Sequence, residues 1–167
     1  GRVINDLYLF TGIERTRAAR EFSLLTSMRA LGLPAPKPVA FRVTKHGGFY
    51  RADLLSSRIE DAEDLVGILS KRTISDVLWQ EIGRVIKRFH HQGIYHHDLN
   101  AHNILIDNNN KVWLIDFDRG EQRQQQNKWP AENMARLLRS FRKESHQLNN
   151  FQWCEKNWQA LLHGYQS

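Results

Sequence analysis

The chain has 167 residues, with 24 Lys plus Arg against 18 Asp plus Glu and a single cysteine. Its 41% hydrophobic and 25% charged residues suit one folded domain with a real core and exclude a disordered, collagenous or repeat protein. No apolar run approaches the ~18 residues of a membrane span, and Cys154 has no partner for a disulfide, so a reducing compartment is expected. The chain opens on Gly1 rather than Met, which suggests missing residues upstream. Nearly all of the +6 net charge falls in residues 119–143, where seven basic side chains meet two acidic ones. Such a stretch is either a solvated face or a surface for phosphate and other anions.

In chain order, residues 14–31 read as a helix with Thr16 as N-cap and Gly32 as its stop. The prolines at 34, 36 and 38 force extended backbone. Val39–Thr44 and Phe49–Leu55 then read as strands joined by Lys45-His46-Gly47-Gly48. Residues 61–70 form a short helix with an acidic first turn. The clearest helix is 74–92, where Ile74, Val77, Leu78, Ile82, Val85, Ile86 and Phe89 make one apolar stripe. Thr73 with Asp76 gives it a capping-box pattern, and His90 and His91 suit its C-terminal dipole. Ile104–Ile106 and Val112–Ile115 form a second hairpin across Asp107–Asn110, with Trp113 expected in the core. Helices over 131–143 and roughly 151–165 complete an α+β chain.

The chemistry gathers around that second hairpin. Asp98 and Asn103 flank a polar loop between a helix and a strand, and Asp116 stands at the exit of the paired strand, folded back beside Asn103. Oxygen donors of this kind suit Mg²⁺, which takes few protein ligands and completes its shell from water and phosphate. A further carboxylate can orient or deprotonate an attacking hydroxyl. Together these are the minimum equipment for phosphoryl transfer, whose transition state needs positioning and charge neutralisation.

His96-His97-Asp98-Leu99 through Asn103, followed by Asp116-Phe117, resembles the H-R-D-x-x-x-x-N and D-F-G pair of the protein-kinase fold. The resemblance implies a mostly helical C-terminal catalytic lobe over 56–167. Over 1–55 it implies the remnant of an N-terminal lobe, its first strands and glycine-rich loop absent. It makes Asp98 the catalytic aspartate, Asn103 and Asp116 the metal ligands and His96 a brace for the loop. Glu21 becomes the glutamate of the first helix, Ala52 and Asp53 the adenine-binding hinge, and Leu105 part of the floor beneath the purine. Asn100, where protein kinases usually carry Lys, and Asp118 in place of Gly depart from the pattern, and no Ala-Pro-Glu segment follows.

His-His-Asp-Leu-Asn-Ala-His-Asn-Ile-Leu, Trp-Leu-Ile-Asp-Phe-Asp-Arg-Gly and Phe-Tyr-Arg-Ala-Asp-Leu-Leu are similar to the lipopolysaccharide kinase family, from about Leu7 to Tyr165. That similarity implies ATP and Mg²⁺. The acceptor it implies is the 4-hydroxyl of 3-deoxy-D-manno-octulosonic acid (Kdo) on a lipid A precursor, and nucleic acid is no partner. It also implies a peripheral enzyme at the cytoplasmic face of a Gram-negative inner membrane. Arg119, Arg136 and Arg139 then become candidates for guiding an anionic headgroup, with Arg142 and Lys143 near the same helix face. Three other readings stand beside it: a binding module without turnover in this chain, a kinase for another sugar or small molecule, and an iron site built on His96, Asp98 and a distant histidine such as His146 or His163.

Overall fold

The computed structural model describes residues 8–9, 12–124 and 128–167. After the two-residue strand β1 (Tyr8–Leu9) and a short 3₁₀ turn, helix α1 (Arg17–Ala30) starts on Thr16, whose Oγ1 accepts from the Ala19 N–H at 3.4 Å. It ends in a Schellman turn: Leu33 N–H donates to Met28 C=O and Gly32 N–H to Arg29 C=O, with Gly32 at φ +67°. Strands β2 (Pro38–His46) and β3 (Phe49–Ser56) form a long hairpin turning at Gly47, and β1 pairs on the other side of β3. One side of this sheet receives α1, where the Phe22 and Phe41 rings lie 5.3 Å apart.

Residues 61–70 differ from the expected single helix. Ala62–Asp64 form strand β4, and only Leu65–Leu69 are helical (α2). Asp64 sits outside that helix as its cap, Oδ1 accepting from the N–H groups of Val66 and Gly67 at 3.1 Å each. Helix α3 (Asp76–His91) is likewise capped by Ser75 rather than by Thr73, and Val77 points outward at 68% exposure while the rest of its stripe is buried. Strand β5 (Ile94–Tyr95) leads into the 96–103 loop, and β6 (Ile104–Asp107) pairs with both β4 and β7 (Val112–Leu114). Strand β8 (Glu121–Gln122) pairs with β5, and helices α4 (Trp129–Gln147) and α5 (Glu155–Gln166) close the chain.

The core is built by α3, α4, α5 and the β6–β7 hairpin, around Trp79, Ile82, Ile86, Phe89, Leu137 and Phe141. Helices α3 and α5 approach closely enough that a Cβ on Gly83 would meet the Leu161 carbonyl oxygen at 2.1 Å, and one on Gly164 the Gln80 oxygen at 2.0 Å. Two aromatic expectations change. Trp113 is only half-buried, its Nε1–H donating to Asp107 Oδ2 at 3.0 Å. His90 is buried, bonded to the Tyr165 hydroxyl at 2.7 Å, and its pKa is pushed down to about 4 by desolvation. It is therefore neutral at pH 7 and adds no charge to the helix end. No helix among the described residues is long and apolar enough to cross a membrane.

Candidate active site

The 96–103 loop is held by its own side chains. His96 is buried, and its Nδ1 faces the Asp98 main-chain N–H at 3.2 Å while Nε2 faces the Ile115 carbonyl at 2.8 Å. An amide N–H only donates and a carbonyl only accepts, so the ring is the neutral Nε2–H tautomer. Burial, which holds its pKa below the ordinary imidazole value, favours the same state. Asn100 caps the turn that follows, Oδ1 accepting from His102 and Asn103 N–H, and Nδ2 donating to Asp98 C=O and to Asp98 Oδ2 at 3.0 Å. Asn103 donates from Nδ2 to the same Asp98 carbonyl at 2.9 Å, which orients its amide and leaves Oδ1 without a partner among the described residues. His102 lies 3.5 Å from both Asp64 and Glu144.

The β6–β7 hairpin then returns the chain to this loop. Ile115 N–H donates to Asn103 C=O at 3.0 Å, so Asp116 follows directly beside Asn103. Asp116 is exposed and left-handed at φ +60°, while the next residue, Phe117, is buried against His96 and Phe89. Anchoring the ring inward turns the Asp116 carboxylate outward. Asp98, Asn103 and Asp116 are thus gathered by one loop and one hairpin, as their spacing suggested. Among the described residues no three His, Cys, Asp or Glu side chains cluster to hold a metal, which leaves the three-ligand iron reading without its ligands there. The oriented Asn103 Oδ1 and the exposed Asp116 carboxylate do match the sparse oxygen set of Mg²⁺.

Between the β2–β3 sheet and the hairpin lies a cavity of about 440 Å³ whose walls include Leu25, Leu54, Leu105 and Phe117, with Glu21 and Asp116 as its acids. Leu105 and Glu21 line it, whereas Ala52 and Asp53 do not. Strand β3 continues to Ser56, so these two are mid-strand; Asp53 is exposed and ion-paired to Arg42 at 2.8 Å. The chain reaches the cavity instead through Leu54 and Ser56–Ile59. Glu21 has its pKa raised to about 7, chiefly by burial and then by the charges of Asp118 and Asp116, with Arg17 opposing. Arg17 in turn forms an ion pair with Asp118, tying α1 to the segment after Asp116.

The basic stretch is partly spent on internal contacts. Arg142 pairs with Glu155 at 2.8 Å, and Arg123 pairs with Glu121 and stacks on Tyr95. Arg136 Nη1 lies 3.9 Å from Asp98 Oδ1, whereas Arg119 and Arg139 are exposed with no carboxylate partner among the described residues. Two residues that sequence reasoning passed over are Asn133 and Ser140, which bond the main chain of His96 and of Ala101. The available signal was a lone Asn in register with Leu137 and Phe141 on an otherwise apolar stripe.

A carboxylate braced in a polar loop, a turned amide oxygen and a second carboxylate beside a cavity have the chemistry of a phosphotransferase. The chain belongs to the lipopolysaccharide kinase (Kdo/WaaP) family, whose model matches residues 1–165. It is 45% identical over 166 residues to the 3-deoxy-D-manno-octulosonic acid kinase of Photobacterium profundum, covering 99% of this chain and 70% of that protein. It is 47% identical over 172 residues to the protein of the same name from Mannheimia succiniciproducens, covering 100% and 70%. To that of Vibrio cholerae it is 49% identical over 144 residues, covering 86% and 61%.

Proposed function

We propose that this protein transfers the γ-phosphoryl group of ATP to the 4-hydroxyl of Kdo on a lipid A precursor, working peripherally at the cytoplasmic face of the inner membrane. The observation that carries the reading is family membership across residues 1–165 in a chain where Asp98, Asn103 and Asp116 are braced around one hairpin. Residues 56–167 act as the catalytic lobe, and residues 1–55, with α1, β2 and most of β3, belong to a nucleotide-side lobe. ATP would occupy the cavity over Leu105, with Leu54 and Ser56–Ile59 as its edge.

Asp98 serves as the base. Asn100 holds its Oδ2, so Oδ1 is left to receive the acceptor hydroxyl's proton as that oxygen bonds to phosphorus and the bond to ADP breaks. Asn103 Oδ1 and the Asp116 carboxylate would hold Mg²⁺, which when bound neutralises charge on the phosphate oxygens. The buried neutral His96 fixes the Asp98 main chain and couples it to Ile115, one residue from Asp116. Arg119 and Arg139 face the acceptor side, where a sugar carboxylate and lipid phosphates supply opposite charge, and Arg136 stands beside Asp98.

Mass spectrometry of a Kdo-bearing lipid A precursor incubated with the protein, ATP and Mg²⁺ tests the reading. One added phosphate on Kdo is expected. Phosphate appearing on the lipid A portion, or none on either, would contradict it.

A further inference from the structure

Helix α4 turns one face to the 96–103 loop, and that face carries Asn133, Arg136 and Ser140 at i, i+3 and i+7. Asn133 is buried at 1% exposure and pairs both main-chain groups of His96: Oδ1 accepts from its N–H at 3.3 Å and Nδ2 donates to its C=O at 3.0 Å. Ser140 Oγ accepts from the Ala101 N–H at 2.9 Å. These pins grip main chain, so they set the distance between helix and loop independently of the side chain at 136. Between them, Arg136 Nη1 stands 3.9 Å from Asp98 Oδ1, and it is the cation in ion-pair range of Asp98 among the described residues. Within the loop, the side chain that touches the Asp98 carboxylate is the neutral Asn100. Positive charge beside Asp98 therefore comes from α4.

The Arg136 distance is too long for a hydrogen bond, and its side chain is 43% exposed. The guanidinium borders the carboxylate without being consumed by it and keeps donors for an incoming anion. Arg119 and Arg139, exposed and without a carboxylate partner among the described residues, suit steering over a distance instead.

We infer that Arg136 is a catalytic residue whose guanidinium contacts the phosphoryl group in transit, beside Asp98. The inference rests on Asp98 being the base. The acceptor oxygen forms its bond to the γ-phosphorus, and the bond from that phosphorus to the bridging oxygen of ADP breaks. The electron pair leaves with ADP, and the hydroxyl proton passes to Asp98 Oδ1. Arg136 spreads the charge on the non-bridging oxygens, an interaction strongest in the transition state and so expressed in kcat.

The test is steady-state transfer from ATP to the Kdo-bearing lipid A precursor by full-chain Arg136→Gln, Arg136→Lys and Arg139→Gln, each checked for folding by thermal denaturation. Arg136→Gln lowers kcat by about 100-fold and leaves the acceptor KM unchanged. Arg136→Lys keeps the charge and falls between wild type and Gln, while Arg139→Gln raises KM at unchanged kcat. A loss confined to KM in Arg136→Gln, or equal losses for Gln and Lys, overturns the inference. Full kcat in Asp98→Asn would overturn the base assignment instead, so the two failures are distinguishable.

Discussion

The two sides of the candidate site are built to different standards. On the sheet side of the cavity, none of the nine residues of β2 is buried, and β3 buries only Tyr50. On the loop side, His96, Leu99, Ala101 and Asn103 are all buried within eight residues, and side chains of the loop and of α4 fasten the main chain of His96, Asp98, Ala101 and Asn103. A sheet with one covered face gains little from burial, whereas a loop with its polar groups paired inside a core is costly to displace. The contrast teaches where rigidity is placed. The groups proposed to meet the reacting atoms are preorganised, and the wall over the cavity is lightly held.

The sharpest way to break that contrast is Asn133→Leu. It leaves the N–H and C=O of His96 without partners, at about 1–3 kcal/mol for each buried group. Chemical denaturation should show that loss together with a marked fall in kcat. On the sheet, Leu55→Ala removes a side chain that is 60% exposed, and stability should stay within about 0.5 kcal/mol of wild type. Equal effects from the two would erase the distinction.

A pH-dependent effect lies where the two sides meet, at Glu21. Its folded pKa is raised from 4.5 to about 7, so the folded state holds the proton more tightly than the unfolded chain. The stability this gives is full below pH 4.5 and is lost as pH rises through about 7. Glu21→Gln should match wild type in acid and melt about 2–4 °C higher above pH 7, once the half-exposure of the group is allowed for. His90 has the opposite sign, its contribution being present above pH 6.5 and lost as pH falls through about 4. Thermal melts of the Glu21 variant across pH 4–9 separate the two; a difference that persists unchanged in acid would count against the Glu21 assignment.

How far the sequence could be read follows from the same contrast. Thr16, the α3 stripe and the β6–β7 hairpin were legible because each is local: a cap, a period and a turn. Asp98, Asn103 and Asp116 were legible because a short hairpin converts sequence spacing into proximity. Ala52 and Asp53 fall mid-strand and off the cavity because the length of β3 is set by pairing with β2, whose Pro38 meets Ser56, and not by any signal at position 51. The 61–70 segment was misread because Asp64 competes for helix N–H groups while Ala62–Asp64 find strand partners more than forty residues later. Asn133, Arg136 and Ser140 act across thirty-seven to thirty-nine residues of chain, a relation that only the packing of α4 reveals.

The most direct test of the central claim is single-turnover phosphoryl transfer from ATP to the Kdo-bearing lipid A precursor by wild type and Asp98→Asn. The asparagine is nearly isosteric, and the Asp98 side chain is 58% exposed, so ATP binding and melting temperature should be retained. The transfer rate should fall by about 10²–10⁴-fold, the usual weight of a general base. A transfer rate equal to wild type would contradict the assignment of Asp98 and the mechanism built on it.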